Sequence, residues 1–236
     1  MITKRPAAER GLTETPWLKS RHSFSFADYH DPAHVQFGPL RVINDDSIAG
    51  GGGFPPHGHR DMEILTYMVA GSLAHEDSMG HRFTIGPGEV QAMTAGTGVT
   101  HSEFNASAEA PVRLLQIWIL PGERGLAPSY DQRPFSDAEK AGRLRAIASG
   151  DGREGTLKLH QDVVIYASRL DAGGKAAFEP EAGRRVWVQM VSGDLAVNGA
   201  VNGAVLEAGD GAAVEDECAL VLASRNGAEF LLFDLP

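Results

Sequence analysis

With 236 residues, 42% of them hydrophobic, the chain is long enough to bury the core of one large β domain or two small ones. Its formal net charge is −10 and it carries no block of basic residues, which argues against direct binding to nucleic acid or anionic lipid. A single cysteine, Cys218, excludes an intramolecular disulfide and fits a reducing compartment.

Met1 to Arg10 mixes Lys4, Arg5 and Arg10 with Ala and lacks the apolar centre of a leader. No run of eighteen apolar residues follows, so a cytoplasmic protein is expected. The chain is irregular as far as Trp17. Residues 22–29 then alternate, Ser23 and Ser25 on one face and Phe24 and Phe26 on the other, and are read as a strand. A second short strand is read at 40–44, stopped by Asp45 and Asp46. The tract Gly50 to Gly53 is followed by neither Lys-Ser nor Lys-Thr and opens no helix, so it predicts a flexible turn feeding a strand and not a phosphate cradle.

Strand-like runs follow at 63–69, 72–75, 81–85, 89–93 and 112–120, with Gly and Pro between them as at Gly86, Pro87 and Gly88. Short strands separated by turn signals predict an all-β sandwich or barrel. Residues 121–145 change character: they are rich in Pro, Gly and charge, and only 136–141 looks helical, with Ser136 as N-cap. Strand pattern resumes at 162–170 and continues to the end. Cys218, between Glu217 and an apolar run, is read there as a buried strand residue. The expected domains are 1–125, a linker with a short helix at 126–155, and 156–236.

The second half echoes the first. MVAGSL at 68–73 reappears as MVSGDL at 190–195, IGPGE at 85–89 is answered by EAGD at 207–210, and each half closes on an apolar strand ending Leu-Pro. Three features in the same order argue for two copies of one β unit.

Two clusters between Pro55 and Glu103 carry the chemistry. The first is Pro55, Pro56, His57, Gly58, His59; the second is Gly98, Val99, Thr100, His101, Ser102, Glu103. In extended chain, residues two apart share a face, so His57 goes with His59 and His101 with Glu103. Brought together, the pairs make a pocket of three imidazoles and one carboxylate without thiolate, which suits a divalent first-row metal with positions left for substrate or dioxygen. In the second copy His57 and His59 become Glu179 and Glu181, and no histidine follows His160. One active and one supporting barrel are therefore expected. His75, His81 and His160, which lack a paired partner, are read as exposed, and His22, His30 and His34 as surface residues.

The first half resembles a cupin: Gly51, His57, His59 and Glu63 follow the first cupin motif, with Gly71 one residue late, and Gly98, His101 and Asn105 the second, with Gly96 where many cupins have Pro. More narrowly, DMEILTY at 61–67, TAGTG at 94–98 and HSE at 101–103 resemble the bacterial branch of the pirin family. So do RVINDD at 41–46, QIWI at 116–119, RRVW at 184–187 and the closing LFDLP. The resemblance implies an all-β bicupin, two double-stranded β-helix barrels in tandem, with one ion in the N-terminal barrel held by His57, His59, His101 and Glu103. It places Glu63 behind the ligands or in solvent. Bacterial pirin-like proteins are similar to quercetin 2,3-dioxygenases, which open the flavonol heterocycle with dioxygen and release carbon monoxide.

The resulting expectation is a metal-dependent dioxygenase acting on an aromatic small molecule and O2, in which Glu103 also takes the flavonol 3-hydroxyl proton. Fe(II) is the expected ion, with Ni, Mn, Co and Zn open on the same ligands. A redox-responsive iron-binding module that acts through a protein partner stays open as the alternative, as does a metal-dependent isomerase or another dioxygenase. A monomer is expected, since the second barrel already offers an internal partner.

Overall fold

The computed structural model describes residues 1–201 and 203–236, without the side chain of Glu154. In chain order the strands are β1 (Ile2–Arg5), β2 (Gly11–Glu14), β3 (Leu18–His22), β4 (Leu40–Ile48), β5 (Gly53–His59), β6 (Glu63–Ala70), β7 (Leu73–Asp77) and β8 (Arg82–Ile85). They continue with β9 (Glu89–Thr94), β10 (Val99–Asn105), β11 (Val112–Ile119), β12 (Ser129–Pro134), β13 (Arg145–Ser149), β14 (Leu157–Lys158), β15 (Val164–Leu170) and β16 (Lys175–Phe178). The last are β17 (Arg185–Val197), β18 (Ala204–Glu207), β19 (Gly211–Val214), β20 (Leu220–Ala223) and β21 (Ala228–Leu235), and among the described residues one short α-helix, α1 (Asp137–Lys140), interrupts the series. No helix among the described residues is long and apolar enough to cross a membrane.

The chain forms two compact units, one of residues 11–135 and 157–161, the other of residues 1–10, 136–156 and 162–236. These limits differ from the expected 125 and 155. β1 pairs with β19, so the first residues belong with the C-terminal strands. The expected linker is not a linker: β12 pairs with β9 along its whole length, and its polar sequence is that of an exposed edge strand. The helix is where it was expected, with Ser136 Oγ accepting from the Glu139 N–H and the Glu139 side chain reaching back to the Ser136 N–H.

In the first unit a seven-stranded sheet, ordered β12-β9-β6-β11-β4-β3-β2, faces a four-stranded sheet ordered β5-β10-β7-β8. Leu18, Ile48, Met68, Leu73, Ile85, Val112 and Leu114 pack at one end of the space between them, and Ile64, Met93, Ala95 and Val99 form a second cluster. The other unit has a sheet in which β1, β19, β17, β21, β15 and β13 are neighbours, with β16, β18 and β20 attached along the far half of the thirteen-residue β17. Its interior is filled by apolar side chains, among them Val188, Met190, Leu195, Leu222, Phe230 and Leu232. The echoed sequence marks equivalent turns: Gly71 and Gly193 have φ of 75° and 77°, Gly88 and Gly209 of 80° and 82°. A Cβ at Gly193 would lie 1.9 Å from the Gly227 carbonyl oxygen, which leaves room only for glycine.

Two strand expectations change. β3 ends at His22, and residues 23–29 form turns around an isolated Phe26–Tyr29 bridge, so the aromatic alternation there is not that of a ladder strand. β4 runs on through Asp45 and Asp46 to Ile48, because pairing with β3 and β11 outweighs the poor strand preference of aspartate. Cys218 is exposed, on a bend before β20, and not a buried strand residue.

Candidate metal centre

β10 alternates without a break: Val99, His101, Glu103 and Asn105 are buried, while Thr100 and Phe104 face outward. Burying Glu103 while Phe104 is 40% exposed inverts the hydrophobic order, which marks an inside selected for chemistry. His101 lies directly across from His57 on β5, and His59 is two residues along on the same face. The Nε2 atoms of His59 and His57 stand 2.9 and 3.0 Å from the Nε2 of His101.

This geometry fits one ion. Two nitrogens bound side by side on a metal at about 2.1 Å are about 3 Å apart in octahedral geometry. His57 Nδ1 is 2.8 Å from the Pro55 carbonyl oxygen, and donating there leaves the Nε2 lone pair free. Burial, together with the other imidazoles, pushes His59 down to about 4 and His101 down to about 3, so both are neutral at pH 7 and ready to ligate. Imidazole nitrogens that converge this closely favour a cation among them.

Glu103 stands slightly apart. The three histidines bring their donor atoms within 4.8 Å of one another, whereas Glu103 falls within such a group with His101 and His75. A register shift on the β5 side between His101 and Glu103 accounts for this, setting Glu103 opposite Phe54. Its other neighbour across the ladder is His75. His75 is therefore not exposed: it is 1% accessible, with Nε2 3.2 Å from Asp77 Oδ2 and its ring 5.3 Å from that of His101.

The opposite sheet holds the Glu103 carboxylate. One cross-strand row runs His22, Asn44, Gln116, Thr66, Gln91, Gln132 over six adjacent strands, set by register alone. Gln91 Nε2 donates to Glu103 Oε1 at 2.6 Å, Gln116 Nε2 to Oε2 at 2.9 Å, and Thr66 Oγ1 to Oε1 at 3.4 Å. Gln91 is steadied in turn by the Tyr130 hydroxyl, which donates to its Oε1 at 3.1 Å. Three members of that row, Gln91, Thr66 and Gln116, thus meet the one carboxylate of Glu103.

The remaining candidates separate clearly. Glu63 is 1% exposed and belongs to neither cluster of metal-capable groups; it accepts from the Thr94 hydroxyl at 3.0 Å and lies beside His160, and burial pushes its carboxyl up. It is thus neither ligand nor solvated. His160 and His81 are half-buried, the latter 2.9 Å from Asp77 Oδ2. His22, read as a surface residue, is 2% exposed and bonded to Thr13 Oγ1 and Asn44 Oδ1. His30 is exposed, and His34 pairs with Asp31. Glu179 and Glu181, the counterparts of the first histidine pair, are exposed.

Beside the histidines opens a cavity of about 410 Å3, walled by Phe26, Phe54, Pro56 and Trp118 and reaching Asp46, Gln116 and His22. Trp118 packs edge-on against His59 at 5.0 Å and Phe26 against Trp118 at 5.4 Å, so aromatic surface leads to the nitrogen cluster. Such an apolar cleft with a few convergent polar groups suits a flat organic ligand.

Two cupin-like barrels, one with a cluster of metal-capable side chains and one whose described interior is a cluster of apolar side chains, define a bicupin of the metal-binding class. Residues 4–119 match the family model Pirin, and residues 146–235 match the Quercetinase C-terminal cupin domain. The chain is 46% identical over 236 residues to the quercetin 2,3-dioxygenase of Escherichia coli K12, covering all of this chain and 99% of that one. It is 44% identical to a putative quercetin 2,3-dioxygenase of Pseudomonas aeruginosa, with both chains fully covered. Among solved structures, the bacterial pirin YhhW of Escherichia coli in complex with nickel(II) superposes with a TM-score of 0.94 at 44% identity, covering 100% of this chain and 99% of that one. The chain belongs to the pirin family, among its quercetin 2,3-dioxygenase-like enzymes.

Proposed function

We propose that the protein is a metal-dependent dioxygenase that opens the heterocycle of flavonols with O2, with Fe(II) as resident ion held by His57, His59, His101 and Glu103. The observation that carries this is the convergence of the His57 and His59 nitrogens to about 3 Å from that of His101, at the edge of an aromatic-walled cavity whose floor fixes a carboxylate. The ion supplies Lewis-acid polarisation of the substrate oxygen and a redox-capable centre.

The chain's own groups do the rest. Phe26, Phe54 and Trp118 hold the fused rings and exclude water. Glu103 accepts the 3-hydroxyl proton of the flavonol at a carboxylate oxygen, and Gln91 and Gln116 keep that oxygen in place by donating to both sides of the group. Thr66 completes the support, so the base needs no reorganisation when substrate arrives.

The test is metal analysis of protein purified without added metal, followed by aerobic and anaerobic mixing with quercetin while carbon monoxide and oxygen uptake are recorded. Oxygen-dependent carbon monoxide release is expected, and Glu103→Gln should keep some metal while losing turnover by about a hundredfold or more. Conversion without oxygen uptake would overturn the dioxygenase, and full turnover by Glu103→Gln would overturn the base.

A further inference from the structure

The cavity has a second polar end. Along β11 and β4, Trp118 pairs with Val42, Gln116 with Asn44 and Leu114 with Asp46, so Asp46 lies four residues of strand below the Trp118 row. At about 3.4 Å per residue that is about 14 Å along the strand, a span that a multi-ring ligand approaches and a single ring does not. His22 and Asn44, on the row between, are engaged with each other and with Thr13.

Asp46 is different. It lines the cavity, is 2% exposed, and its Oδ1 meets no hydrogen-bond partner. Burial pushes its carboxyl up to about 7 against the pull of the Ser20 hydroxyl, with Asp45 and Glu103 adding to the rise. A buried carboxyl oxygen without a partner is costly, and a donor brought by a ligand relieves that cost. Trp118 Nε1, also in the cavity wall, is likewise buried without an acceptor.

We propose that Asp46 is a specificity residue: it hydrogen-bonds, through Oδ1, a phenolic hydroxyl at the end of the substrate remote from Trp118. The cavity thereby selects elongated, multi-ring aromatics that carry a hydroxyl at that far end. When the carboxyl is ionised the phenol donates to it, and when protonated it donates to the phenol oxygen, so a hydroxyl serves both forms. The flavonol reading supplies the name of the substrate class, whereas the hydrogen bond requires only an aromatic ligand in the cavity.

Two ligand pairs test this by calorimetric titration of the full-length, metal-loaded protein: quercetin against 3-hydroxyflavone, which keeps the 3-hydroxyl but lacks the hydroxyls of the two benzene rings, and 4-hydroxybiphenyl against biphenyl. Wild type should prefer the hydroxylated member of each pair by about tenfold or more, the discrimination a site built for a hydroxyl provides. In Asp46→Leu both preferences should fall within about threefold while the unhydroxylated ligands bind as before. Asp46→Asn keeps the shape and a neutral hydrogen bond, and should fall between, which covers the case that the leucine variant does not fold. Equal preferences in wild type and variants, or none in wild type, overturn the proposal, including the case in which the variants only melt earlier. If the biphenyl pair responds to Asp46 while no flavonol binds, the role of Asp46 stands and the flavonol reading falls.

Discussion

Replacing Gln91 by leucine removes the shortest support of the Glu103 carboxylate, the 2.6 Å bond from Nε2 to Oε1. A hydrogen bond to a charged acceptor contributes about 1.5–3 kcal/mol. The same change deletes a 2.9 Å bond to Thr66 Oγ1, while the Tyr130 hydroxyl keeps Gln132 Oε1 at 2.9 Å as an alternative acceptor. Burying a leucine in place of an amide returns about 1 kcal/mol. The net loss should be about 2–3 kcal/mol in urea denaturation of the chelator-treated protein, with the m value unchanged. In a Glu103→Gln background the same substitution should cost less than about 1 kcal/mol, since the acceptor is then neutral. Metal affinity should drop by about ten- to a hundredfold, as when a group supporting a ligand is lost. An equal cost with and without the Glu103 charge would refute the assignment of Gln91 to that carboxylate.

Further outcomes follow from single positions. Asp46 keeps its proton up to about pH 7 when folded and loses it near 3.8 when unfolded, so its stabilisation is full at low pH and is lost as pH rises through about 7. Asp46→Asn, which does not ionise, should therefore gain on wild type by about 4 kcal/mol between about pH 4 and pH 8, and a flat difference in denaturation midpoints would reject the burial effect. Gly193→Ala places a Cβ on the Gly227 carbonyl at positive φ and should cost at least about 2 kcal/mol, whereas Gly51→Ala, at φ 70° with nothing within 4 Å, should cost about 1 kcal/mol by thermal melting. His101→Ala removes the nitrogen that both other histidines face and should abolish stoichiometric metal in elemental analysis, while His34→Ala should leave it intact. Ala27 holds φ of 48° at the cavity wall, so Ala27→Gly should leave the melting temperature unchanged or slightly raised.

The histidine cluster was legible because extended chain repeats every two residues: spacing alone put His57 with His59, and one ladder brings His101 opposite. The same period placed Glu103 on the inner face but could not reveal the register shift that moves it toward His75. Gln91, Thr66 and Gln116 carried no signal, since what unites them is a row across three strands, and register is a property of the sheet and not of any one strand. His75 was misjudged for that reason, its neighbours Asp77, His101 and Glu103 meeting it mostly across the ladder. Asp46 was hidden by a local rule, as aspartate ends strands more often than it lines their buried face. The turn glycines and the capping box were readable because each acts within a few residues.

The exchange of short segments between the two units has a consequence for anyone who would separate them. A gene cut after codon 135 yields a first product that retains the strand Ile2–Arg5 without its ladder mate, and a second product whose sheet has lost that edge while carrying 157–161, which belongs with the other half. Neither truncation reproduces a native barrel. Isolating the histidine-bearing half would take rearrangement of the coding order, with 157–161 grafted on and the first ten codons moved.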